Sequence, residues 1–204
     1  MKKLDIIYED KEILVVNKES GKLTIGDNSL YSEVYSYLHK KNERVFIVHR
    51  LDKDTSGVIL FAKKDKVKRY LQDNWNNITK RYYVCVVSGC IKKDKDTLKN
   101  YLKESKTLQV YVAKNGALAI TNYEVIKKNN KYSMLSVNIE TGKKNQIRCQ
   151  LSYIGYPIVG DKKYNNKDNK IKRLCLHANK LVLNYNKKEL VFESSYPELF
   201  NKLF

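Results

Sequence analysis

Residues 49–63 read His49-Arg50-Leu51-Asp52-Lys53-Asp54-Thr55-Ser56-Gly57-Val58-Ile59-Leu60-Phe61-Ala62-Lys63. Polar turn residues run directly into an apolar stretch: Asp, Ser and Thr side chains hydrogen-bond their own turn backbone, and Gly57 relaxes the steric limit there. Val58 to Ala62 then predicts a buried strand. The pattern indicates a tight turn that presents the carboxylate of Asp52 to a substrate.

A calcium-binding loop is excluded by position. Such a loop requires Asp or Asn where Ser56 stands and a bidentate Glu where Lys63 stands. A purely structural turn remains the alternative, since Asp, Thr, Ser and Gly are ordinary turn residues. A catalytic role for Asp52 therefore depends on the other motifs of the chain.

The composition bounds the class of protein. The chain has 204 residues, enough for one well-buried core, and its 40 Lys and Arg against 22 Asp and Glu give a net charge of +18. This charge favours a polyanionic partner. Nucleic acid is favoured over a membrane because the basic residues are spread along the chain and do not gather on a helix with an apolar face. A compositional bias towards Lys is the alternative explanation.

Metal, cofactor and membrane signals are absent from the sequence. The 4 cysteines form no Cys-x-x-Cys pair and have no His at ligand spacing, so we predict reduced, mostly buried thiols and no metal site. No phosphate-binding motif is present, and we predict no cofactor. The first ten residues contain charged side chains where a signal peptide would need an apolar stretch. No apolar segment has the length of a membrane span. We expect a cytoplasmic protein.

Hydrophobic periodicity predicts the secondary structure. Strands are predicted over residues 13–16, 58–62, 81–87, 117–126, 135–139, 174–183 and 190–192, and helices over residues 29–40, 65–76 and 144–154. Ser29 and Asp65 are predicted as helix N-caps. Residues 91–114 are polar and broken, which indicates short strands and loops. Because strands outnumber helices and few alternate with crossover helices, we expect an α+β fold on a mixed, mostly antiparallel sheet with flanking helices and loops.

A second motif precedes the third predicted helix and reads Thr141-Gly142-Lys143-Lys144-Asn145-Gln146-Ile147-Arg148. Arg148 adjoins the apolar stripe of Ile147 and Leu151, so its stem can pack while its guanidinium reaches a cleft. Alone, such an Arg is typical of a surface salt bridge. Within about 4–6 Å of Asp52 it would instead lower the pKa of that carboxyl by roughly 1–3 units and keep it ionised.

A third motif, residues 81–89, reads as a strand rich in Tyr and Val. Taken alone, its Tyr83 is typical of ordinary sheet packing. His177 is expected to be structural. His49 is close to Asp52 in sequence, but no positioned nucleophile completes a Ser-His-Asp arrangement.

Together these motifs resemble the signature blocks of the RluA-type pseudouridine synthases. The resemblance extends over nearly the whole chain, and its four blocks occur in the family order at residues 49–63, 81–89, 139–161 and 174–178. Some positions depart from the family pattern, since Glu19, Lys143 and Gln150 stand where the family has Pro, Arg and His. These departures affect the choice of target more than the type of reaction.

The resemblance implies an RNA pseudouridine synthase in which Asp52 is the essential nucleophile. It implies that Tyr83 lies against the target base and that Arg148 pairs with Asp52. The attack of Asp52 is directed either at the sugar or at the ring, and the residues favour neither. Three residues are expected to bind the substrate: Arg50 by filling the space that the extruded base leaves, Ile147 by packing near the base, and Lys143.

The resemblance also implies a pseudouridine synthase fold with a central active-site cleft, formed by residues 1–204 as a single catalytic domain without an N-terminal accessory RNA-binding domain. The implied reaction is redox-neutral and requires neither metal nor cofactor. The expected partner is ribosomal RNA, above all of the large subunit, or transfer RNA, and the protein is expected to be a monomer. Two alternatives stay open: a non-catalytic RNA-binding or ribosome-associated protein on the same fold, and a basic hydrolase that uses Asp52 and His49.

Overall fold

A computed structural model describes residues 4–165 and 171–204. The elements follow in the order β1 (Ile6–Glu9), β2 (Ile13–Lys18), α1 (Leu30–His39), β3 (Phe46–Ile47), β4 (Ser56–Ala62), α2 (Asp65–Ile78), β5 (Thr79–Ser88), β6 (Lys95–Glu104), β7 (Val110–Ala113), β8 (Ala117–Lys128), β9 (Tyr132–Ile139), α3 (Gln146–Tyr153), β10 (Leu176–Tyr185), β11 (Lys188–Glu193) and a short 3₁₀ helix (Glu198–Leu203). Every predicted strand and helix is present, with ends that differ by a few residues. No helix in the described ranges combines the length and the apolar character that crossing a membrane requires.

The chain forms two compact units, one made of Met1–Thr79 with Ala178–Ser195 and the other of Lys80–His177 with Tyr196–Phe204. In the first unit the strand order is β1-β2-β4-β10, with β3 also paired to β4 and β11 paired to β10. All seven residues of β4 are buried, as expected for the apolar run after the Asp52 turn. The apolar core of the first unit consists of Ile13, Val15, Val48, Val58, Leu60, Ala62, Val67, Leu71, Leu181, Leu183 and Phe192.

An ion-pair network ties three elements of the first unit together. The Nζ of Lys63, at the end of β4, lies 2.7 Å from Glu9 Oε1 and 2.8 Å from Glu43 Oε2. Glu9 also accepts hydrogen bonds from Lys41 Nζ and from the hydroxyl of Tyr37, which extends the network from β1 to α1. Burial alone would raise the pKa of Glu9, but these hydrogen bonds outweigh it and lower the pKa to about 2.

The second unit is built on the strand order β5-β9-β8-β6-β7, in which each neighbouring pair is antiparallel. Helix α3 buries its apolar side, including Ile147 and Leu151, in the core of this unit. A smaller apolar cluster joins Cys149 of α3 to the sheet through Leu102, Val110 and Ala119. The packing of α3 against the sheet therefore fixes where the side chains of this helix lie.

Two local expectations are corrected by the structure. Lys64 occupies the N-cap position of α2 without a side-chain cap bond, and Asp65 is the first helical residue, whereas Ser29 caps α1 as predicted. The stretch expected to hold only short strands contains the ten-residue β6. Only Leu98 and Leu102 are buried, on one face, and the lysines lie on the other, so the strand as a whole remains polar.

Candidate active site

A buried lysine, Lys18, bonds to the backbone of the turn that carries Asp52. Lys18, the last residue of β2, has no exposed surface, and its Nζ donates to the backbone carbonyls of Glu19 at 3.0 Å, Lys22 at 2.6 Å and Lys53 at 2.8 Å. Buried charge is costly unless it is hydrogen-bonded, and three carbonyl acceptors meet that requirement here. One ammonium group therefore joins the segment after β2 to the residue next to Asp52.

Further bonds connect the same two segments. Thr24 Oγ1 donates to the carbonyl of Leu51 at 2.8 Å and accepts from the amide of Leu51 at 3.3 Å. Ser20 Oγ donates to the carbonyl of Asp54 at 2.6 Å, and Gly21 N donates to the carbonyl of Lys53 at 3.0 Å. We call Lys18, Ser20, Gly21 and Thr24 the loop clamp. The clamp holds the backbone on both sides of Asp52, which leaves its half-buried carboxylate positioned by a fixed turn.

Burial shifts the pKa of Lys18. Desolvation lowers the pKa of its ammonium to about 8, against the opposing attraction of the Asp54 and Asp52 carboxylates. The ammonium is therefore a positive charge placed beneath two acidic side chains of the turn.

The other end of the turn is anchored where it enters β4. Gly57 has a φ of +116°, and a Cβ at this position would overlap the backbone carbonyl oxygen of Ala178 in β10. A side chain is therefore excluded both by conformation and by space. The amide of Thr55 closes the turn by donating to the carbonyl of Asp52 at 3.2 Å.

Two other residues of this motif occupy different environments. Arg50 is exposed, as expected for a residue that contacts a substrate. The ring of His49 stacks on Trp75 at 4.5 Å, and its Nε2 accepts a hydrogen bond from the amide of Leu60 at 3.0 Å. Because a backbone amide occupies Nε2, this nitrogen is not available as a general base. The hydrolase alternative therefore loses support.

In the second unit, the start of α3 is fixed by an unusual backbone and a buried amide. Asn145 precedes the helix in the left-handed conformation, with a φ of 51°, which such a residue adopts more readily than most. Gln146 Oε1 accepts from Thr141 Oγ1 and from the amide of Lys143, and its Nε2 donates to Ile120 O and Thr121 Oγ1. These bonds explain why the helix begins at Gln146, two residues later than predicted.

Arg148 forms a two-point ion pair inside this unit. Its Nε lies 2.7 Å from Asp161 Oδ2 and its Nη2 lies 2.9 Å from Asp161 Oδ1, while Nη1 donates to Asn145 Oδ1 at 2.9 Å. The guanidinium also lies over the ring of Tyr164 at 5.4 Å. Asp161 is buried and accepts the amides of Lys163 and Tyr164. The Asp161 carboxylate and the Tyr164 ring both contact the planar guanidinium of Arg148, so its orientation is fixed, as a bidentate pair requires.

The remaining predicted residues also lie in the second unit. Tyr83 is half-buried on β5 opposite Val137 of β9 and packs against the core. Ile147 is buried in that core, and Lys143 is exposed before α3. Asp52 and Arg50 thus share one turn of the first unit, whereas Tyr83, Ile147 and Arg148 share the second. The predicted pairing of Arg148 with Asp52 joins residues of different units and stays a prediction.

Several residues that organise the site were not predicted. Lys18 has the sequence appearance of a surface lysine, and only the apolar run that precedes it indicates burial. Asp161 lies 13 residues from Arg148, a separation at which no periodicity links two side chains. Gln150 is fully buried, where it accepts from Thr121 Oγ1 and donates to Leu98 O and Ala119 O.

Comparison with known proteins identifies relatives of the chain. The family model described as RNA pseudouridylate synthase matches residues 12–153. An uncharacterized RNA pseudouridine synthase of Mycoplasma genitalium is 36% identical over 194 residues, covering 88% of this chain and 61% of that protein. The ribosomal large subunit pseudouridine synthase D of Borreliella burgdorferi is 31% identical over 214 residues, covering 96% and 66%. The chain thus spans less than two thirds of the length of these two relatives.

Solved structures agree on the fold. The structure titled human RNA pseudouridylate synthase domain containing 4 matches with a TM-score of 0.83 at 23% sequence identity, over 97% of this chain and 90% of that one. The predicted pseudouridine synthase fold, α+β with a mostly antiparallel sheet, is therefore confirmed. The chain belongs to the RNA pseudouridylate synthase family, and within it to the RluA type.

Proposed function

We propose that the protein is an RNA pseudouridine synthase in which Asp52 is the nucleophile. The observation that carries the proposal is the turn of Asp52, which the loop clamp grips on both sides and which lies within the residues matched by the family model. A nucleophile must be held in a near-attack position, and a turn fixed at its backbone provides this. The carboxylate is half-buried, so a substrate can reach it.

The proposed reaction separates uracil from its ribose and rejoins the two through carbon. The bond from the ring nitrogen to the sugar breaks, a bond from a ring carbon to the sugar forms, and the carbon loses a proton while the nitrogen gains one. No electrons are gained or lost overall. A base inside a helix is out of reach, so the target uridine is extruded, at a cost of a few kcal/mol that contacts with the protein offset.

The other predicted residues support this step. Tyr83 presents a ring on which the extruded base stacks, and Ile147 packs beside it. Arg148, whose guanidinium forms a two-point ion pair with Asp161, also pairs with Asp52. Arg50 fills the space that the base leaves, and Lys143 binds the substrate, in keeping with the exposure of both side chains. Residues 1–204 act as a single catalytic domain.

The proposed substrate is structured RNA, with ribosomal RNA of the large subunit first and transfer RNA second. A net charge of +18 suits a polyanion, and the Borreliella burgdorferi relative carries the name of a large-subunit enzyme. The predicted monomer and the predicted cytoplasmic location rest on the sequence alone.

A comparison of two carboxylates tests the proposal. Purified protein is incubated with uridine-containing cellular RNA, and pseudouridine is mapped for the wild type, for Asp52→Asn and for the matched variant Asp54→Asn. We expect product from the wild type and from Asp54→Asn, and none from Asp52→Asn. Product from Asp52→Asn would contradict the role of this carboxylate, and absence of product from the wild type on ribosomal and transfer RNA would contradict the enzyme.

The same variants separate the proposal from a non-catalytic RNA-binding protein. If the protein only bound RNA, the wild type and Asp52→Asn would bind equally and neither would form pseudouridine. If it is the enzyme, the two bind RNA similarly and differ in product. Binding is measured by retention of labelled ribosomal RNA on a filter at fixed salt, because affinity for RNA depends strongly on ionic strength.

A further inference from the structure

One face of the sheet in the second unit is turned to solvent. β6 alternates with a period of two: Leu98 and Leu102 are buried, whereas Lys95, Lys99 and Tyr101 are exposed. We call the exposed side the outer face. Across β5 to β9 it carries Lys80, Tyr82, Lys95, Thr97, Lys99, Tyr101, Lys103, Tyr111, Ile120, Asn122, Glu124, Ser136 and Asn138.

A row of hydrogen-bonding side chains crosses four strands of this face. Tyr82 lies opposite Asn138, Asn138 opposite Asn122, and Asn122 opposite Thr97. Thr97 Oγ1 donates to Asn122 Oδ1 at 2.7 Å, and Asn138 Nδ2 donates to the carbonyl of Arg81 at 3.2 Å. Amide side chains in such a row retain further donors and acceptors for a ligand, since an amide group has two of each.

The row forms the floor of a groove of about 540 Å³, which is also lined by Lys95, Asp96, Tyr123, Glu124 and Ser136. This volume falls in the range of roughly 300–1,000 Å³ that is typical of sites for small ligands or single groups of a larger one. The groove combines two aromatic rings, Tyr82 and the buried Tyr123, with several hydrogen-bonding groups. These are the features needed to hold a flat, polar heterocycle.

Aromatic rings and positive charges surround the groove. Tyr101 and Tyr111 are each 46% exposed on the same face. Four lysines, residues 80, 95, 99 and 103, stand against the carboxylates of Asp96, Glu124 and Glu140 on or beside this face, an excess of one positive charge. Lys95 is paired with Glu124 at 3.2 Å, whereas Lys80, Lys99 and Lys103 form no ion pair within the described part of the chain. Protein-binding surfaces are depleted in Lys at their centre, whereas surfaces for unpaired nucleic acid combine lysines with stacking rings.

We propose that the outer face binds an unpaired segment of the RNA that carries the target uridine, an inference that rests on the proposed function. Bases stack on Tyr82 and Tyr101, the amides of Asn122 and Asn138 bond to base edges, and the lysines bind phosphates. Tyr82 and Tyr83 are consecutive residues of β5, so their side chains leave the sheet on opposite faces. The same strand would then contribute to the reaction on one face and to RNA binding on the other.

Binding of a short labelled single-stranded oligouridylate tests the proposal, measured by fluorescence anisotropy in an Asp52→Asn background so that no turnover occurs. We expect Tyr101→Ala, combined with Tyr82→Ala, to raise Kd at least about 10-fold. Tyr153→Ala is the matched control, because Tyr153 is 64% exposed in the same unit but lies on α3. Unchanged binding by the double variant, with its thermal unfolding intact, would overturn the proposal.

A second variant keeps the test independent of Tyr82, which is only half exposed. Lys99→Gln, on the exposed side of β6, is expected to reduce the slope of log Kd against log salt concentration by about 0.7, as for one phosphate contact to a single strand. An unaltered slope would contradict the assignment of Lys99. If the double tyrosine variant instead changed the sedimentation of the protein without RNA, the face would be a protein contact and the proposal would be wrong.

Kinetics separate this inference from the proposed function. With a transcript that the wild type modifies, outer-face variants should raise KM and leave kcat within about twofold, since they contact RNA away from the reacting base. If the wild type makes no pseudouridine while the variants still bind RNA more weakly, the proposed function fails and the inference stands. If the wild type is active and the variants match it in both KM and Kd, only the inference fails.

Discussion

The Nζ of Lys18 lies 2.8 Å from the carbonyl oxygen of Lys53, the residue that follows Asp52 in the chain. A buried cation thus bonds to the backbone of the proposed nucleophile's own turn, and two more carbonyls, those of Glu19 and Lys22, share it. The position of the turn therefore depends on a side chain that makes no contact with the reaction itself.

Replacement of this lysine should loosen the turn. We expect Lys18→Met to lower the free energy of unfolding by about 3 kcal/mol, because three buried carbonyls lose a charged donor. kcat should fall at least 10-fold, since small displacements of a nucleophile are costly. Urea unfolding and pseudouridine formation measure the two effects. The control Lys66→Met changes an exposed lysine of α2, and equal behaviour of the two variants would contradict the role of Lys18.

A methyl group at Gly57 should be far more disruptive than one at a glycine with free space around it. Gly57→Ala is expected to cost at least about 3 kcal/mol of stability, because strain at positive φ adds to an overlap with the backbone of Ala178. Gly155 also has positive φ, at 87°, but nothing lies within 4 Å of its added Cβ. Gly155→Ala should therefore cost only about 1 kcal/mol in the same thermal unfolding experiment. Similar costs at both sites would show that the contact with Ala178 is unimportant.

The fork of Arg148 should not be replaceable by an ammonium group. Arg148→Lys keeps the charge but cannot reach both oxygens of Asp161 and also Asn145, so we expect a loss of about 2–3 kcal/mol in unfolding free energy and at least 10-fold in kcat. Arg69→Lys is the control, since Arg69 forms an exposed pair with Asp65. Full activity of Arg148→Lys would be inconsistent with a bidentate requirement.

The network around Glu9 predicts a pH dependence of stability. Its pKa is about 2 in the folded protein against an ordinary value of 4.5, so its stabilising contribution is complete above about pH 4.5 and is lost as the pH falls towards 2. The wild type should be more stable than Glu9→Gln by about 2 kcal/mol near neutral pH, and the difference should vanish in acid. Glu193→Gln, at an exposed surface pair, should show no such trend. Urea unfolding at a series of pH values measures both.

The fold could be predicted where an element has a local periodic or capping signal in the sequence. The buried run of β4 and the Ser29 cap of α1 were predicted because each has a local signal. The length of β6 was not predicted, since a strand with lysines on its outer face has few apolar residues to mark it. The bounds of such strands depend on hydrogen-bonded pairing with β7 and β8 rather than on a local apolar pattern.

The residues of the candidate site likewise divide into those that the sequence marks and those that it does not. Asp52, Tyr83 and Arg148 could be selected because they occur in motifs. Asp161 ends the motif of residues 139–161, but its pairing with Arg148 was not predicted, and neither was the burial of Lys18. A buried lysine has the same letter as the many exposed ones, and only the three carbonyls gathered around its Nζ distinguish it. The partner of Arg148 is chosen by the fold of the segment after α3, which has no periodic relation to the helix.

The first unit includes Ala178–Ser195, although almost a hundred residues of the second unit separate this segment from Thr79. Strand β4 therefore lacks its neighbour β10 until Leu176–Tyr185 has been translated. A nascent polypeptide that stops before Ala178 has neither that neighbour nor the carbonyl that faces Gly57. The surroundings of the Asp52 turn are therefore complete only once Ala178 has been added, and products terminated before it lack one side of the Gly57 turn.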